Sequence, residues 1–117
     1  GMEAALASGD CDMVGLGRPL CWKPELPRQL LAREVEGIEP VEERLKFAAR
    51  GWCSPASPLM PARILNVFAA QAWYYCQIFR LADGRPPELD LGLAPALVEY
   101  LRDELTAARR MHRAFGD

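Results

Sequence analysis

In this chain of 117 residues the pair with the most direct chemical use is Gly17-Arg18. A glycine lets backbone N–H groups come close to an anion, and an adjacent guanidinium adds a fixed charge with forked donors that fit phosphate oxygens. Asp10 and Asp12 stand nearby in sequence. Carboxylates beside an arginine at a surface form an ion pair worth well under about 1 kcal/mol, so they do not argue for a site of their own. Other reactive side chains are sparse. Cys11, Cys21, Cys53 and Cys76 contain no C-x-x-C pair and His112 is the single histidine, so no zinc ligand set can be assembled and no metal residue is assigned. The thiols are expected to serve as small hydrophobes in or near a core. Tyr74, Tyr75 and Tyr100 fall inside helical patterns and are expected to pack. No catalytic residue is assigned.

Whatever Gly17 and Arg18 do, neighbouring elements must hold them. Glu3 to Ala7 is Ala-rich and stops at Ser8-Gly9, which reads as the end of a helix. Asp12 to Gly17 is a brief apolar run with a β-branched centre and glycine exits, long enough for one strand; Arg18-Pro19 then imposes extended or turn geometry. A short helix is expected from Pro24 to about Arg33, with Leu26, Leu30 and Leu31 at helical spacing. Pro40 fits a first helical position, so a further helix is expected up to Gly51 with Val41, Leu45, Ala48 and Ala49 on its apolar face. Gly51 to Pro61 carries too many prolines to be regular. The strongest helix is expected from Pro61 to Ala82. It is apolar nearly all round, which implies burial in a core or at an interface. Asn66, Gln71, Gln77, Arg63 and Arg80 interrupt it, so it lacks the run of roughly 20 apolar residues that a bilayer requires. A last, amphipathic helix is expected from about Ala94 to Phe115, with Leu97, Val98, Leu101, Leu105, Ala108 and Met111 along one side.

Composition sets the outer limits. With 50% hydrophobic and 26% charged residues the chain reads as a single globular domain. A domain this small buries roughly two-thirds of its unfolded surface, so an added partner surface would help it, and a homo-oligomer is expected. The net charge of -2 leaves no basic stripe for nucleic acid. Acidic residues occupy the place of a basic secretory leader, and scattered thiols suit a reducing compartment, so a cytoplasmic location is expected.

The segment "ALASGDCDMVGLGRPLCWKPELPRQLL" resembles the C-terminal end of the old yellow enzyme family, the FMN-dependent NADH:flavin oxidoreductases. There a phrase of the form G-x-A/C-D-x-V-x-x-G-R-P-x-x-x-x-P-x-L-P forms the eighth strand of a (β/α)8 barrel and the segment directly after it. The later stretch "NVFAAQAWYYCQIFRLADGRPPELDLG" is similar to the tail helix and loop of longer members. The resemblance implies that residues 1–33 match the last βα unit of the barrel and residues 34–117 a helical C-terminal extension. It also implies that Gly17 and Arg18 correspond to the residues holding the FMN phosphate.

The expected fold is therefore mainly α, four or five helices with one short strand: a fragment of a barrel plus its helical tail. A complete barrel needs about 250 residues. The flavin-ring contacts, the His/Asn or His/His pair and the proton-donating tyrosine of the family lie upstream of this phrase. The isolated chain is accordingly expected to bind no FMN tightly and to reduce no enone, with an upstream barrel-completing polypeptide as a second candidate partner. Cys53 has no close cysteine to support the iron–sulfur centre of some relatives. The alternative is a small helical interaction or oligomerisation module without enzymatic activity, in which the open edges of a strand at Asp12 to Leu16 pair with a second copy or are covered by the helix from Pro61 to Ala82.

Overall fold

Helix punctuation fixes most of the architecture. The structure is a computed structural model that describes residues 1–116. Alanines and a leucine form α1 (Met2–Ala7), which buries none of its residues. Pro27 opens α2 (Leu26–Leu31), and Pro61 opens α3 (Met60–Ala82), where the missing proline N–H leaves no helical bond unmade. The last helix, α4 (Leu93–Phe115), starts behind an extended Gly92. Two 3-10 turns, Arg18–Cys21 and Val41–Glu43, complete the regular structure.

Two expectations fail, each for a stateable reason. No β-strand occurs among the described residues, and Asp12 to Gly17 is irregular. A strand is held by hydrogen bonds to neighbours, and this chain offers the segment none. The helix expected from Pro40 to Gly51 shrinks to the turn Val41–Glu43. Val41 buries itself against α3, and the Phe47 N–H donates to Asn66 Oδ1 at 3.1 Å, so tertiary anchors take over from the helical ladder.

The core is small and lies where α3 meets α4. Trp22, Val41, Ala69, Trp73, Cys76, Leu93 and Ala96 form it, with Ala69, Ala72 and Ala96 wholly buried. These alanines let the two helix backbones approach closely. The connection after α3 folds back along the helix. Gln77 holds the backbone of Glu88 at both ends, its Nε2 donating to the carbonyl at 3.1 Å and its Oε1 accepting from the N–H at 2.7 Å. Trp73 Nε1 donates to the Leu91 carbonyl at 2.9 Å. So α4 begins level with the middle of α3. Cys76 then reaches Ala96, and Arg80 reaches Glu99, which carries α4 along α3 in the same sense.

Beyond that contact the helix runs free. Every described residue from Leu101 onward is exposed. The molecule measures 57 × 38 × 27 Å with a radius of gyration of 17.8 Å, against about 13 Å for a compact domain of this length. Much of α3 is also uncovered: Ile64, Val67 and Phe68 are 49%, 66% and 58% exposed. The near-uniform apolarity of this helix thus finds a core on one side only.

Candidate functional site

Arg18 opens the first 3-10 turn, and the next residues pin that turn to α3. Pro19 stiffens it, and Trp22 at its end is buried against Ala69 and Trp73. From the other side, burial of Val41 brings its neighbour Glu42 to the same place. The result is an open cavity of about 400 Å³ lined by Arg18, Glu42, Leu45, Val67, Ala70, Gln71 and Tyr74. Its polar groups are one guanidinium, one carboxylate, one amide and one phenol. Leu45, Val67 and Ala70 supply an apolar wall.

The electrostatics centre on Tyr74. Its hydroxyl is sealed from solvent and makes no hydrogen bond of good geometry. Burial pushes its pKa up to about 12; the facing Glu42 carboxylate adds to the shift and the Arg18 guanidinium opposes it. The phenol is therefore a neutral donor at any ordinary pH. No carboxylate lies within 4.0 Å of Arg18 among the described residues, so neither Asp10 nor Asp12 pairs with it. The guanidinium can donate to an oxygen-rich group, while Glu42 opposes an anion and favours a ligand that also carries a donor. At Gly17 an added Cβ would meet nothing within 4 Å, so steric demand for glycine is absent here.

The structure thus places Arg18 on a cavity and Gly17 beside it, outside the lining. Glu42, Gln71 and Tyr74 escaped sequence reasoning. Positions 18, 42 and 74 share no local spacing, and only the packing of a turn and an irregular segment on α3 joins them. The tyrosines expected to pack do so: Tyr75 stacks on Tyr100 with ring centroids 5.4 Å apart, and Tyr74 meets Trp73 edge-on at 5.3 Å. The four thiols are free and dispersed, Cys76 buried and Cys53 exposed. Among the described residues no group of three or more His, Cys, Asp or Glu gathers as metal ligands would, and no helix is long and apolar enough to cross a membrane.

Known proteins place these features in context. Over 82 residues, 69% of the chain, the sequence is 34% identical to an NADH-dependent flavin oxidoreductase of Talaromyces variabilis. The shared stretch is 19% of that protein's length, so the likeness spans about a fifth of the relative. No family model matches the chain, and no solved structure does.

Proposed function

We propose that the chain is a C-terminal segment of an FMN-dependent NAD(P)H:flavin oxidoreductase of the old yellow enzyme type. Residues 1–33 would supply the last βα unit of the barrel and residues 34–117 a helical extension. The observation that carries this reading is the 34% identity to a flavin oxidoreductase over 82 residues. The mainly helical fold agrees with a piece from the end of such a chain, and the irregular Asp12 to Gly17 agrees with a barrel strand lacking its neighbours.

By themselves the residues present do not fit FMN. Gly17 lies open, Arg18 is the only cation among the described residues lining its cavity, and the Glu42 carboxylate shares that space. A phosphate clamp needs several converging donors, and hydride transfer needs a flavin face held about 3 to 3.5 Å from the reacting atom. Both requirements would be met by the barrel. No catalytic step is assigned to residues of this chain; the role proposed for Arg18 is to donate to the cofactor phosphate once the barrel is complete.

Titrating FMN while following flavin fluorescence tests this, first with the chain alone and then with the chain co-expressed with a polypeptide carrying the upstream barrel. The expected outcome is no binding alone and a yellow complex after complementation, with Arg18→Ala weakening FMN by about 10- to 100-fold. Stoichiometric binding by the lone chain would overturn the reading. A complemented complex indifferent to Arg18→Ala would remove Arg18 from the phosphate site.

A further inference from the structure

We infer that the open side of α3 is the face on which the rest of the flavin oxidoreductase chain packs, so that this helix lies between the core seen here and the barrel. The inference rests on the flavin reading and goes beyond it by naming the contact. Met60, Ile64, Val67, Gln71 and Ile78 are exposed and, at 3.6 residues per turn, fall within an arc of about 60°. Ala69 and Cys76, both buried, stand on the opposite side. The arc follows most of the helix and contains no charged residue. Near its start Met60, Ile64 and Val67 join Arg63 and Phe68 around an open groove of about 420 Å³. A helix side that faces water ordinarily carries charge, as the free end of α4 does with Asp103, Glu104, Arg109 and Arg110. Depletion of charge marks the buried centre of an interface instead.

Three observations select the occupant. The first is continuity. Val67 and Gln71 also line the cavity that holds Arg18, so the stripe runs into that cavity. Asp12 to Gly17, which leads directly to Arg18, is irregular, and its Met13 is 84% exposed. A second copy pairing α3 on α3 would cover the stripe and leave Asp12 to Gly17 without strand neighbours. A barrel that supplies those neighbours meets the stripe from the same side.

The second is chain length. The shared 82 residues are 19% of the Talaromyces oxidoreductase, which leaves about 350 residues outside them, more than the roughly 250 of a complete barrel. The third is area. The chain exposes 8839 Å², roughly 2,500 Å² more than a compact monomer of its mass. An inter-domain interface takes roughly 600 to 1,500 Å², so the stripe can be covered while the charged end of α4 stays in water.

The test captures the full chain on a tagged polypeptide made of the part of the Talaromyces oxidoreductase outside the shared stretch, without added FMN. Binding is expected with a Kd at or below about 1 µM. Ile64→Glu and Ile78→Glu, at two places on the stripe, are each expected to raise Kd by at least about 100-fold, whereas Ile64→Val and Arg110→Glu leave it within about 2-fold. Both isoleucines lie outside the core, so the circular dichroism of the lone variants should match that of the parent chain. A complex indifferent to both glutamate variants overturns the proposal and leaves the flavin reading standing. Absence of any complex overturns both. Analytical ultracentrifugation of the lone chain at about 50 µM, above a micromolar Kd, provides the remaining arm: a monomer of 13.0 kDa is expected. A dimer that Ile64→Glu dissociates would give the stripe to a second copy and overturn the proposal.

Discussion

Gln77 shows what a single residue contributes here. Its side chain is wholly buried and satisfies both backbone groups of Glu88, so it fastens the returning connection to α3. Gln77→Ala removes both bonds to the Glu88 backbone and leaves a cavity where a wholly buried side chain stood; about 1 to 3 kcal/mol of stability should be lost, read as a shifted urea midpoint with an unchanged slope. Cys76 offers a second measurement. Burial pushes its thiol up to about 11, with Glu99 and Asp103 adding and Arg80 opposing. The folded value exceeds the unfolded one, so the fold is stabilised by the neutral thiol. That contribution is complete below the unfolded pKa near about 8.5 and disappears as pH rises through the folded value. Thermal melts should therefore hold level to about pH 8.5 and fall above it, with Tyr74 extending the fall toward about 12. Cys76→Ala should flatten the first part of that decline. At neutral pH a chromogenic disulfide should react first with the exposed Cys53 and reach the buried Cys76 only on unfolding.

Among the elements, three helices end in one device. At Gly9, Arg33 and Gly84 the backbone turns left-handed, with φ of 76, 55 and 70°. Each turn is closed by paired bonds, such as Gly84 N to Leu81 O at 3.0 Å and Arg85 N to Arg80 O at 2.8 Å. Two of these stops are glycines and legible in the sequence. Arg33 is not, because a side chain with a Cβ is unfavoured there. Gly84→Ala should destabilise by about 1 kcal/mol and Arg33→Gly should stabilise by a similar amount, measured as opposite shifts in chemical denaturation. The helices α2, α3 and α4 were readable because apolar spacing and proline starts agree with their final environment. The stretch after Pro40 was misread because its apolar residues answer to α3 instead of to one another.

At the scale of the whole molecule the chain is extended. Measured as a monomer, the chain should scatter X-rays with a radius of gyration near 18 Å, well above about 13 Å for a compact domain. In that monomer the amides from Leu101 to Phe115 should exchange fast, while those of α3 around Trp73 and Cys76 stay protected. Uniform protection along α4 in the monomer would contradict the exposure seen here. Buried alanines against exposed Ile64, Val67 and Phe68 divide α3 into a packed side and an open one, and a hydrophobic pattern alone marks both as core.

The amino-acid sequence determined the positions of the long helices and the chain's likeness, over 82 residues, to a flavin oxidoreductase. These depend on local spacing or on residue identity, which a linear string preserves. Tertiary structure alone decided that Asp12 to Gly17 stays irregular, that Arg18 shares a cavity with Glu42 and Tyr74, and that half of α4 stands clear of its neighbours. Each of those depends on which surfaces meet across tens of residues. Strand pairing, burial of a charge's neighbour and coverage of an apolar face are properties of contacts, and no single segment carries them.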